Sequence, residues 1–75
     1  MYLIDKIQLT GDLAQRRTAT ERNPATPHFS DEALMWCDAL VIHGSSFSDP
    51  GPDFCEYQLV MKDGSAYQTM RVDGY

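Results

Sequence analysis

An Asp63-Gly64 pair with alternating apolar residues on both sides places the strongest constraint on this chain. The dipeptide favours the positive-φ backbone of a tight hairpin turn, and the flanking runs are rich in aromatic and β-branched residues. Segment 54–73 therefore reads as a β-hairpin. A two-residue loop at Asp63-Gly64 pairs Met61 with Ala66, Leu59 with Gln68, Tyr57 with Met70 and Cys55 with Val72 on one nearly apolar face. The opposite face pairs Val60 with Tyr67, Gln58 with Thr69 and Glu56 with Arg71. A three-residue loop, Lys62-Asp63-Gly64 with a glycine bulge, is the competing arrangement. It would set Glu56 against Met70 and Cys55 against Arg71, scrambling both faces, so the two-residue loop is preferred. Gln68 is the one polar residue this choice leaves on the core face.

The chain has 75 residues, enough for one small domain. A domain of this size buries only about 60% of its unfolded surface and has little room for a deep cleft. At 43% hydrophobic residues it should nevertheless fold. Net charge is −5 and unevenly placed: residues 1–29 carry +1 and residues 30–75 carry −6. An acidic body argues against direct nucleic-acid binding by charge neutralisation and suits a basic protein partner. Asp5 and Lys6 interrupt the opening MYLIDKIQLT where a signal peptide would be apolar, and no apolar run is long enough for a membrane span. With Cys37 and Cys55 lacking any CxxC spacing, the expectation is a cytoplasmic protein with two reduced, buried thiols.

Tyr2 to Thr10 alternates as a strand should, with Leu3, Asp5, Ile7 and Leu9 on one face. Apolar residues on both faces point to an interior position. Segment 11–28 holds one large apolar residue, Leu13, and reads as a long polar loop. Asp12 with Gln15 three residues later resembles a helix capping box, but such a helix would have almost no face to bury. Asn23-Pro24 and Thr26-Pro27 favour extended backbone.

Segment 29–44 reads as a helix. Ser30 suits the N-cap, Asp31 and Glu32 the first turn, and Gly44 the residue after the last turn. Ala33, Leu34, Trp36, Cys37, Leu40 and Val41 would form its apolar face, with Asp31, Met35, Asp38 and Ile42 outward. The alternative stops the helix near Asp38 and makes residues 39–43 a strand. In 45–53, Asp49-Pro50-Gly51-Pro52 fits a type II turn, Phe47 is expected to tuck onto the core, and Gly74-Tyr75 to fray. The fold class is thus α+β, in the order β-α-β-β: a mainly antiparallel sheet of three or four strands with one helix on one face.

Catalytic and metal chemistry find little support. His28, Cys37, His43 and Cys55 lack the close pairing of zinc ligands, and Asp49 with Asp53 supplies too few oxygens for calcium. His43-Gly44-Ser45-Ser46 lacks a nucleophile elbow and an orienting acid. No phosphate-binding glycine motif occurs. No catalytic residue, metal or cofactor is expected.

Recognition by surface remains. Asp31, Met35, Asp38 and Ile42 would offer an apolar and acidic stripe, Glu56 and Tyr67 the polar face of the hairpin, and Arg16, Arg17 and Arg22 a cationic loop. The expectation is a non-enzymatic protein-binding module, an acidic adaptor or inhibitor that occupies a larger protein or a nucleic-acid-binding complex. Small acidic viral or mobile-element proteins have this size and charge, which is analogy only. One alternative is a small-anion or nucleotide binder built on the three arginines with His28 or His43. The other is a homodimer paired along a strand edge.

Overall fold

A computed structural model describes residues 2–22, 26–45 and 54–73. The elements are β1 (Tyr2–Gln8), α1 (Leu13–Thr20), α2 (Asp31–Trp36), β2 (Cys37–Gly44), β3 (Phe54–Met61) and β4 (Ala66–Asp73). The strands form one antiparallel sheet of four strands in the order β1-β2-β3-β4, and both helices lie in the connection from β1 to β2. The α+β class with a helix-covered antiparallel sheet is as expected. The expected turn at Asp49 to Pro52, the placement of Phe47, the Asn23-Pro24 stretch and the tail Gly74-Tyr75 lie outside the described residues.

The hairpin combines features of both readings. From Cys55↔Val72 to Leu59↔Gln68 the register is the one the apolar pattern dictates. The loop, however, has three residues. Met61 N donates to Ser65 O at 2.8 Å and Gly64 N to Met61 O at 2.9 Å, closing Lys62-Asp63-Gly64. A two-residue turn of the expected kind needs positive φ at Asp63 as well, and among the described residues only Gly11 and Gly64 adopt it. Asp63 stays in ordinary backbone space, and its Oδ1 accepts from Ser65 N (2.9 Å) and Ser65 Oγ (2.6 Å). β4 absorbs the extra residue: Val60 pairs with Ala66, not Tyr67, across an irregularity that leaves Tyr67 in a bulge. Local turn chemistry sets the loop, and apolar packing sets the register beyond it.

The second correction concerns 29–44. The helix ends at Trp36, and Cys37 serves both as its C-cap and as the first residue of β2. The run Leu40-Val41-Ile42 periodicity alone does not assign. As a strand, this run gives the facing edges of β1 and β3 their backbone hydrogen-bond partners, which a helix bonded within itself would leave unpaired. Leu40 then lies between Ile7 and Leu59, and Ile42 between Asp5 and Tyr57. Gly44, expected to cap a helix, is buried in the strand opposite Tyr2 and Cys55.

The third correction is α1, which occupies part of the expected loop 11–28. Its capping box is complete: Gln15 N donates to Asp12 Oδ1 at 2.9 Å, and Asp12 N donates to Gln15 Oε1 at 2.8 Å. Gly11 at φ +79 leads into the cap, and a Cβ there would stand 1.8 Å from Gln15 Oε1. Leu13 and Ala19 are the apolar side chains this helix packs on the core, and Thr20 is buried beside them. A tertiary clamp provides the rest. Arg16 Nε donates to Gly11 O at 3.0 Å, and its Nη1 donates to Leu34 O at 2.9 Å and Cys37 O at 2.6 Å. The guanidinium thus satisfies carbonyls that the end of α2 leaves open.

The buried core unites Ile7, Leu9, Phe29, Ala33, Leu34, Cys37, Leu40, Ile42, Cys55, Tyr57 and Leu59. α1 packs beside β1, and α2 lies over β2 and β3. β4 is an edge strand, so Gln68 sits half-buried at the margin of the sheet and not within the core. β1 is the other edge and not an interior strand. A bulge between Leu3 and Asp5 moves Leu3 off the face that Asp5 and Ile7 share, and leaves Tyr2, Leu3 and Ile4 exposed. Cys37 and Cys55 are free and buried. Among the described residues no helix is long and apolar enough to cross a membrane.

Candidate functional site

The surface at the end of α2 is built by where that helix stops. Ser30 Oγ caps it by accepting from Ala33 N at 3.2 Å, and Asp31 and Glu32 follow at the positive end of its dipole. Ala33, Leu34 and Cys37 turn inward, which sends Met35 and Trp36 outward. Trp36 is 63% exposed and Met35 49%. A continuous helix would have placed Trp36 on its buried face; because Cys37 already belongs to β2, that prediction inverts. Cys37 pairs with Met61, so the end of β3 lies beside the tryptophan. Met35, Trp36, Met61, Lys62 and Asp63 together line a shallow groove of about 380 Å³.

Its floor is apolar and adaptable, because methionine repacks around different shapes. Its rim is mixed. The Ser65 hydroxyl, then the Ser65 backbone N–H, hold the Asp63 carboxyl below its ordinary range. Glu32 stands three and four residues before Met35 and Trp36, hence on the same side of the helix.

The other residues singled out from sequence are scattered. Ile42 is only 1% exposed, because it faces the core of a strand and not the outside of a helix. Asp38 is half-buried at a bulge in β2, where its carbonyl accepts from Leu9 N at 2.8 Å. Asp31 binds Arg17 Nη2 at 2.5 Å, and that hydrogen bond, followed by the charge of Asp31, raises the Arg17 pKa. Arg22 reaches Asp5 at 3.7 Å across exposed surface. With Arg16 committed to backbone carbonyls, the three arginines form no common anion site.

Glu56 lies on the sheet face away from the helices, in register with His43 and Arg71. The expected Glu56–Arg71 attraction is diverted: Arg71 Nε donates to Asp73 at 2.8 Å, and its guanidinium lies 3.9 Å from the Phe54 ring centre. Gln58 does donate to Thr69 Oγ1, at 3.4 Å. Tyr67 is 42% exposed at the β4 bulge. His43 is in mid-sheet, not at a helix end beside Ser45.

Burial raises the pKa of the Cys37 thiol, with Arg16 opposing, which disfavours the nucleophilic thiolate. Among the described residues no three His, Cys, Asp or Glu side chains gather as a metal would require. The β1 edge carries two features that discourage strand addition: the bulge at Ile4, and the Asp5 carboxylate, which accepts the Lys6 N–H at 2.8 Å.

No family model, curated protein or solved structure matches the chain. Trp36 and Met61 are the residues of this surface that sequence reasoning missed. The available signal was the β-branched run after Cys37, which as a strand forces the helix to end at the tryptophan.

Proposed function

We propose that the chain is a non-enzymatic protein-binding module, an acidic adaptor or inhibitor whose anchor is Trp36 in its groove with Met35 and Met61. The observation that carries this reading is the exposure of Trp36, 63% in a chain with a single tryptophan. An exposed aromatic costs solubility without contributing to the core, and tryptophans at interface centres commonly contribute about 2–4 kcal/mol to binding. The net charge of −5 favours a partner with a basic surface. Bulges interrupt both edge strands, at Ile4 in β1 and at Tyr67 in β4, which makes strand-edge dimerisation the weaker reading. Dispersal of the arginines weighs against an anion site that uses all three.

A photoreactive amino acid in place of Trp36 should cross-link one partner protein in the native host extract. Excess unmodified protein should suppress that product, and a Met35→Asp competitor should not. The same probe at Gln8, on the opposite sheet face, should give no such product. Equal labelling from both positions, or full competition by Met35→Asp, would remove the groove from the account.

A further inference from the structure

A second concavity lies on the other side of α2, between the end of α1 and the segment leading into Ser30. It has a volume of about 200 Å³, and Arg17, Glu21, Thr26, His28, Phe29 and Leu34 contribute to its walls. Its chemistry differs from that of the Trp36 groove. Phe29 and Leu34 are core residues that close it from beneath, and the walls that remain accessible are mainly polar. Thr26 Oγ1 is buried and has no hydrogen-bond partner among the described residues. Native proteins seldom leave such a hydroxyl unmatched, since burying it forfeits its bonds to water.

Arg17 is only partly used. Asp31 occupies Nη2, and among the described residues Nε and Nη1 have no acceptor. An arginine fork with two free N–H vectors suits a carboxylate. Glu21, one turn further along α1, lines the same concavity with the opposite charge. A simple anion would meet attraction from Arg17 and repulsion from Glu21. A molecule carrying a carboxylate and an ammonium a few bonds apart would satisfy both.

We infer that this concavity binds a free α-amino acid: carboxylate on Arg17, ammonium on Glu21, and a polar atom on Thr26 Oγ1. The volume limits the ligand to one of small or medium size. The site is distinct from the Trp36 groove, so the two stand or fall separately.

The test is an NMR titration of isotope-labelled protein with each common L-amino acid to about 10 mM, the range where weak one-site binding is visible. Acetate, lactate and inorganic phosphate are the comparison arms. At least one amino acid should shift the Arg17, Thr26 and His28 amide signals, and the comparison anions should not. Thr26→Val should weaken that binding about tenfold or more. Because valine has the same shape and no orphaned hydroxyl, the ligand-free variant should melt at the same temperature or higher. Glu21→Gln should weaken the amino acid while admitting acetate. Any of four results overturns the inference: no amino acid registers, phosphate or acetate alone binds, Thr26→Val binds as well as the parent, or ligand-free Thr26→Val melts several degrees lower.

Discussion

Leu40→Ala is expected to lower stability by about 3–4 kcal/mol, within the range for large-to-small core changes. Leu40 is fully buried, at 0% exposure, between Ile7 and Leu59 in register and beneath the helices. A chain of this length has about 4–11 kcal/mol in total, so the variant should be partly unfolded well below the parent's melting temperature. The informative comparison is Val41→Ala. In a strand, Leu40 and Val41 point to opposite faces, and Val41 is half-buried on the side away from the helices. Its truncation should cost about 1 kcal/mol or less. A helix through this segment would place both residues on one apolar face and give them similar costs. Urea denaturation of the two variants therefore separates strand from helix by the ratio of their effects.

Arg16→Met should cost about 3 kcal/mol, an unusual penalty for an arginine outside the sheet. The methionine retains most of the packing but leaves Leu34 O and Cys37 O without the guanidinium that now donates to both. Arg16→Lys should recover less than half of the loss, because one ammonium cannot reproduce the planar fork that also reaches Gly11 O. Arg22→Met supplies the contrast. Its 3.7 Å contact to Asp5 lies between exposed side chains, and its loss should change stability by about 0.5 kcal/mol or less. Equal midpoints for the Arg16 and Arg22 variants would mean that Arg16 clamps nothing.

These two positions show which parts of the fold were legible in the sequence. Hairpin 54–73 was, because its alternation and its turn residues reinforce each other over a short separation. Even there the loop length is not legible, since a bulge at Tyr67 restores the register that the longer loop shifts. The α2–β2 junction was not legible. Leu40-Val41-Ile42 fits either element, and the deciding term is the pair of neighbouring strands, β1 and β3, both remote in sequence. α1 escaped for a related reason: its cap was visible in Asp12 and Gln15, but the anchor that holds so polar a helix is a bond from Arg16 to residues eighteen and more positions away.

The candidate surface was legible only in part. Helical spacing places Met35 outward, where it is found, while Trp36 and Ile42 exchange roles because the helix ends at Trp36. The arginines look like a free cationic loop in sequence, where their charge is visible and their intramolecular acceptors are not.

If Trp36 is displayed for a protein partner, its status as the sole tryptophan makes its fluorescence a direct report. In the free, folded protein the emission should resemble that of solvent-exposed tryptophan and be freely quenched by acrylamide. Adding the partner captured through position 36 should shift the emission to shorter wavelength and protect it from quenching. Emission already shifted and protected in the free protein, or unchanged in the complex, would mean that Trp36 is not the binding anchor.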